Sequence, residues 1–187
     1  SRDGLARFDG RNYRIWRAED GLRDNQVWSL HVDAANWLWV GTQSAGLVML
    51  SADRRSVRFY DKQHFPLINS NTVWAITSTP DGSVWFGTST AGLYRLDADG
   101  VIQRFMPVQG DPSSLPAAAV TYLVTMADGS LWVGTKGGLA RWTGNGFERI
   151  GADVLPSDRI NGLKVDRQER LWVATNAGLG VRQPDGR

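Results

Sequence analysis

At 187 residues, 42% of them apolar and 21% charged, the chain is globular rather than disordered and long enough to bury a core. Lys and Arg number 21 against 19 Asp and Glu, a net charge of +2, and no run of like sign forms the one-sided basic face that nucleic-acid binding needs. There is no cysteine, which excludes disulfides and thiolate metal sites, and no apolar run approaches the ~18 residues of a membrane helix, so membrane attachment is expected only through a segment outside this stretch.

In chain order, residues 1–17 read as the back half of a repeated unit. Two short strands, 4–8 and 12–16, are joined by Asp9-Gly10, where glycine can take positive φ at no steric cost. A full unit follows at 18–62. Its first strand, 26–33, alternates Val27, Ser29 and His31 on one face with Trp28, Leu30 and Val32 on the other. Strands at 37–42, 46–50 and 56–60 complete it. The unit at 63–107 repeats the order with strands at 72–78, 83–88, 92–96 and 102–105 and a turn at Pro80-Asp81-Gly82. The unit at 108–151 has strands at 119–125, 131–135, 138–142 and 146–150 and a turn at Asp128-Gly129. The last, 152–187, has strands at 159–166, near 171–175 and at 179–182, and lacks a fourth. No long stretch shows the three-and-four apolar spacing of a helix. The first strand matches Gly138 to Trp142, the middle of a unit, and the chain carries no signal peptide and does not begin with Met. It therefore reads as a piece of something longer.

The second strands fix the period. Leu38-Trp39-Val40-Gly41-Thr42 with Gly46-Leu47 recurs as Val84-Trp85-Phe86-Gly87-Thr88 with Gly92-Leu93. It recurs again as Leu131-Trp132-Val133-Gly134-Thr135 with Gly138-Leu139, and as Leu171-Trp172-Val173-Ala174-Thr175 with Gly178-Leu179. Four short antiparallel strands every ~40–50 residues, repeated, is the sequence form of a β-propeller blade. The expected fold is all-β, a propeller segment of about four four-stranded antiparallel blades. A lone four-stranded sheet covers neither of its faces, and stacking blades about an axis buries both. Trp39, Trp85, Trp132 and Trp172, at one repeat position, are therefore expected to pack blade against blade. Gly41, Gly87 and Gly134 fall where a side chain would meet the neighbouring blade. Ala174 breaks that series and implies a more open contact. Gly46, Gly92, Gly138 and Gly178 open the third strand, where positive φ or close approach is expected. Two strands, three sets of four and then three make seventeen. Strand 12–16 could close a small ring, but an open arc is the expected arrangement. Such an arc exposes an apolar blade face at each end and is prone to self-association.

At these residues the chain resembles the two-component regulator propeller repeats, whose unit reads roughly Asn-x-Val-x-x-Leu-x-x-Asp-x-x-Gly-x-Leu-Trp-Val-Gly-Thr-x-x-Gly-Leu. The matching residues are Asn25-Gln26-Val27 through Asp33, Leu38 to Leu47, Asn71-Thr72-Val73, Asp81-Gly82 and Val84 to Leu93. Gly110-Asp111-Pro112-Ser113-Ser114-Leu115 is similar to the family's inter-blade connection. Pro116-Ala117-Ala118-Ala119 in the third unit and Asp158-Arg159 in the fourth depart from it. The resemblance implies a periplasmic sensor region ahead of a membrane helix and a histidine kinase or diguanylate cyclase, with carbohydrate-derived ligands such as an oligosaccharide. Streptogramin-type lyases, whose propeller repeats look similar, are the enzymatic alternative, and a scaffolding or dimerising propeller is another.

The residues themselves show little chemistry. Trp28 and Trp74, on first strands nearest the axis, could line a channel, whereas Trp16, Trp37 and Trp142 each appear once. Asp81-Gly82 and Asp128-Gly129 are turn formers, since calcium loops need several closely spaced oxygen ligands. His31 and His64 are the two histidines. His31 has Thr77, Val124 and Lys164 at its equivalent positions, so no histidine ring forms. No nucleophile elbow or paired-carboxylate motif is present, so no catalytic residue, metal or cofactor is expected. His64 is the one residue a lyase could use. A ligand is expected on the face where loops enter the first strand and join the second to the third. Its candidate residues are Asn25, Gln43, Asn71, Ser89, Lys136, Arg159 and Asn176.

Overall fold

The computed structural model describes residues 2–150 and 154–186. The expected boundary at 151/152 between the third and fourth units lies outside the described residues. Among the described residues, seventeen strands form one two-stranded, three four-stranded and one three-stranded antiparallel sheet, as strand counting predicts. The hairpin is β1 (Leu5–Phe8) and β2 (Tyr13–Trp16). Blade one is β3 (Val27–Val32), β4 (Leu38–Thr42), β5 (Leu47–Leu50) and β6 (Val57–Tyr60). Blade two is β7 (Val73–Ser78), β8 (Val84–Thr88), β9 (Leu93–Leu96) and β10 (Ile102–Phe105). Blade three is β11 (Val120–Thr125), β12 (Leu131–Thr135), β13 (Gly138–Trp142) and β14 (Phe147–Ile150). Blade four is β15 (Ile160–Val165), β16 (Leu171–Thr175) and β17 (Gly178–Arg182).

The inner strands β3, β7, β11 and β15 lie side by side in that order. β2 pairs with β1 and not with β17, so the arc is open. One feature departs from the all-strand expectation. Residues Ala18–Leu22 form a single wide helical turn, in which Leu22 N–H donates to the Arg17 carbonyl at 3.2 Å and Asp20 accepts the Arg17 N–H at 3.0 Å. Gly21, at φ +102°, lets the turn reverse and buries Leu22 beneath it.

Blade stacking explains the apolar pattern, because the core is a series of interfaces. Leu5, Trp16 and Leu22 pack on Val40, Val48 and Leu50 of blade one. Trp39, Leu47 and Tyr60 pack on Val73, Phe86 and Tyr94 of blade two. Trp85 and Leu93 meet Val120, Leu131 and Val133 of blade three, and Trp132 and Leu139 meet Ile160, Leu171 and Val173 of blade four. The second-strand indoles of blades one to three therefore face the following blade. Trp39, Trp85 and Trp132 are buried, as expected. Trp172 is only half-buried, since no blade follows it. The burial expectation does not extend to every tryptophan, because Trp28 is 56% exposed and Trp37 is also exposed.

The two glycine series have the two causes inferred for them. A methyl on Gly41 would meet Ser29 and, at 2.7 Å, the Val73 carbonyl; on Gly87 it would strike Val120, and on Gly134 it would lie 2.7 Å from Ile160. Gly46, Gly92, Gly138 and Gly178 all have positive φ. Asp81 and Asp128 close their turns by accepting the N–H groups of Ser83 and Ser130.

Candidate functional site

A feature of the ladder, invisible as letters, shapes the axial side. In every inner strand the pairing skips one residue near its start: between Val27 and Ser29, Val73 and Ala75, Val120 and Tyr122, and Ile160 and Gly162. Trp28, Trp74, Thr121 and Asn161 are thus β-bulge residues at equivalent positions. A bulge leaves its extra residue unpaired and re-aims its side chain.

The loop joining second to third strand is tied back beside each bulge. Gln43 N–H donates to the Gln26 carbonyl at 3.0 Å, Ser89 to Thr72 at 3.2 Å, Lys136 to Ala119 at 3.0 Å and Asn176 to Arg159 at 3.2 Å. These main-chain bonds bring loop and strand entrance together in all four blades. Trp28 Nε1 then donates to Gln43 Oε1 at 2.6 Å, and Asn161 Nδ2 donates to Asn176 Oδ1 at 2.6 Å. Lys136 Nζ sits 4.9 Å from the Trp74 ring centroid, a cation–π distance. Thr121 Oγ1 donates to the Ile160 carbonyl at 2.7 Å and bridges two blades.

Below these residues the inner strands enclose an open groove of about 550 Å³. Trp28, Trp74 and Tyr122 supply aromatic surface, while Leu30, Ile76 and Val124 supply aliphatic wall. Lys164 is the charged lining residue, and no carboxylate lines the groove. Arg2 shares a second hollow with Trp28.

The seven candidate face residues divide by role. Gln43, Lys136 and Asn176 reach bulge residues. Asn25 and Asn71 instead clamp backbone between units. Asn25 Oδ1 accepts the Ala18 N–H at 2.8 Å and its carbonyl accepts the Gly4 N–H at 2.8 Å. Asn71 does the same for Lys62 N–H at 3.1 Å and Gly46 N–H at 3.0 Å. Where Ala118 replaces that Asn, its carbonyl still accepts the Gly92 N–H at 2.9 Å. Ser89 and Arg159 take part through their main chains.

The histidines lie apart from each other. His31 Nε2 is 2.8 Å from Ser78 Oγ, linking inner strands of blades one and two, and burial pulls its pKa down. His64 Nδ1 is 2.7 Å from Asp61 Oδ1, in the turn after β6, with Arg23 at 3.9 Å from the same carboxylate. His64 is not among the residues lining the groove.

The bulge and the two residues Thr121 and Asn161 escape sequence reasoning. So does the role of the threonine that ends every second strand. Thr42, Thr88, Thr135 and Thr175 each donate Oγ1–H to the carbonyl of the glycine that opens the third strand, at 2.8–2.9 Å. Their fixed place in the repeat is the signal that could have found them.

The family model of the two-component regulator propeller matches residues 21–44, 67–90 and 154–177. Each segment runs from the entrance of an inner strand to the loop after the second strand, so the match recurs once in each of three blades. No curated protein matches the chain. Among solved structures it is similar to the extracellular domain of a hybrid two component system from B. thetaiotaomicron, with TM-score 0.81 and 24% identity over 98% of this chain and 25% of that one. A one component system from the same organism gives TM-score 0.77 and 18% identity over 97% of this chain and 25% of that one. A catalytically inactive virginiamycin B lyase from Staphylococcus aureus, solved with quinupristin, gives TM-score 0.76 and 15% identity over 100% of this chain and 61% of that one. The chain spans a quarter of the length of those two extracellular domains, and the likeness shows a shared propeller fold.

Proposed function

We propose that this chain is part of the extracytoplasmic, periplasmic ligand-sensing propeller of a membrane-bound signal-transduction receptor, and that its ligand enters the axial groove. The observation that carries the reading is the bulge repeated at one register in four inner strands, beside loops that carry Gln43, Lys136 and Asn176. Such a module has no chemistry of its own. It acts by binding one arrangement of the receptor more tightly than another and so shifts the population seen by a kinase or diguanylate cyclase elsewhere in the protein. An oligosaccharide, the ligand class the family resemblance suggests, could stack on Trp28 and Trp74, whose faces suit apolar ring surfaces.

Thermal-shift screening of this chain against an oligosaccharide library tests the reading. A shift is expected for at least one member and is expected to vanish in Trp74→Leu. A library-wide absence of Trp74-dependent shifts would remove the oligosaccharide as the ligand, and the reading itself falls if no small molecule binds in a Trp74-dependent way. The lyase reading keeps one observation, the His64–Asp61 contact at 2.7 Å. Opening of a streptogramin B ring by this chain, lost in His64→Ala, would favour it.

A further inference from the structure

We propose that the axial groove takes an aromatic carboxylate, with its ring against Trp28 and Trp74 and its anion at Lys136. The inference rests on the ligand-sensing reading and names the ligand's chemistry. The groove's wall and its charge point the same way. Between the aromatic residues the wall is largely Leu30, Ile76, Val124 and Leu163, with Ser29 and Thr121 as small polar lining residues. Burying hydroxyl groups against the aliphatic part without hydrogen bonds costs free energy, so a ligand gains most by placing an apolar ring there. A flat apolar ring loses nothing there, and stacks on indole.

The charge is one-sided. Lys136 lies against the face of Trp74, which lines the groove, and Lys164 lines the groove itself. Neither lysine forms an ion pair among the described residues, and no carboxylate lines the groove. Lys164 is therefore uncompensated in the groove, and Lys136 beside Trp74 at its exposed side. One carboxylate on the ligand compensates them through a charge-assisted hydrogen bond. Lys136 is positioned for this twice over, by its main-chain bond to Ala119 and by its contact with the Trp74 ring.

Isothermal titration of this chain with naphthoate and with naphthalenemethanol, which differ in the carboxylate, tests the proposal. The acid is expected to bind about tenfold more tightly, the usual effect of one charge-assisted hydrogen bond. Lys136→Gln should bring the acid down to the alcohol's affinity and leave the alcohol unchanged. Lys136→Arg should restore the preference, and Trp74→Leu should weaken both ligands. Equal binding of acid and alcohol, or a preference that survives Lys136→Gln, overturns the anion assignment while the groove keeps its role. If neither naphthyl compound binds but an oligosaccharide does, in a Trp74-dependent way, the groove is a sugar site. The inference then falls and the sensor reading stands. If no compound's binding responds to Trp74→Leu, both fall.

Discussion

Gly87 and Ala174 occupy the same step of the repeat and differ by one methyl. At Gly87 the inner strand of the next blade presses in, and a Cβ would land on Val120. At Ala174 no blade follows, and the methyl is half-exposed. Gly87→Ala is therefore expected to cost about 2 kcal/mol through overpacking, while Ala174→Gly should cost less than about 1 kcal/mol, a backbone-entropy effect. Urea unfolding of the two variants checks this, and equal costs would show that the glycine series has nothing to do with blade approach. A second residue-scale effect concerns Asp166. The Trp172 indole N–H donates to its Oδ2 at 2.7 Å, and this bond with the Arg170 contacts holds its pKa down, from 3.8 to about 2. A carboxylate favoured in its ionised form by the fold adds stability above about pH 4, and that contribution disappears as pH falls toward 2. Trp172→Phe should raise the Asp166 pKa in a carboxyl-carbon NMR titration. An unmoved titration would mean that Arg170 and the turn amides alone set it. Asp33 accepts the Trp39 indole in the same way, whereas Met126 occupies the equivalent place in blade three and the buried Trp132 indole nitrogen has no hydrogen-bond partner among the described residues.

At the scale of the element, the turn between second and third strands depends on its threonine. Thr42 Oγ1 donates to the Gly46 carbonyl at 2.8 Å and accepts the Ala45 N–H at 3.0 Å, fully out of water. Thr42→Val removes both bonds and leaves the buried Ala45 N–H unmet, while the Gly46 carbonyl keeps the Thr42 main-chain N–H at 3.1 Å, for an expected cost of about 1–3 kcal/mol. Thr175 makes the same pair of bonds in a turn that water reaches, so Thr175→Val should cost well under half as much. Thermal unfolding of both variants decides it, and similar losses would mean that the hydroxyl's role is β-propensity rather than the turn. These turns also show what the sequence could and could not reveal. Strand order, the indoles at blade interfaces and the close-approach glycines are legible, because each follows from a period and a residue size. The bulge is not, because Trp28, Trp74, Thr121 and Asn161 share no chemistry and the period-2 alternation runs past them undisturbed. Asn25 and Asn71 look like rim polar groups in sequence, yet their partners are backbone amides brought up by the neighbouring unit. The turn at Ala18–Leu22 is too short to display a helical period.

At the scale of the whole described arc, the decisive property is that its first and last sheets each keep one apolar face that no other sheet of this chain covers. Leu47, Leu93 and Leu139 occupy one repeat position and are 0%, 0% and 2% exposed, each covered by the next blade; Leu179, their counterpart, is 61% exposed. Leu179 pairs with Ala174 and Val181 with Trp172, so the four side chains share one uncovered face. At the other end the hairpin buries Leu5 and Trp16 against blade one and turns Phe8, Tyr13 and Ile15 outward. The two ends carry the following and the preceding face of a blade, the pair that meets at every internal interface. In a solution of this chain alone, a second copy is therefore the expected occupant of the open face, joined head to tail. Such a contact is heterologous, so association should yield rings or growing assemblies rather than a symmetric dimer. Sedimentation velocity of the isolated chain across a concentration series should show masses above the monomer's 20.7 kDa. Leu179→Ser with Val181→Ser should return the protein to monomer without lowering its unfolding temperature, because neither side chain packs in the fold's core. A chain that stays monomeric at about 100 μM, where an interface of only about −6 kcal/mol would already populate dimers, would mean that the end blade tolerates water as it stands.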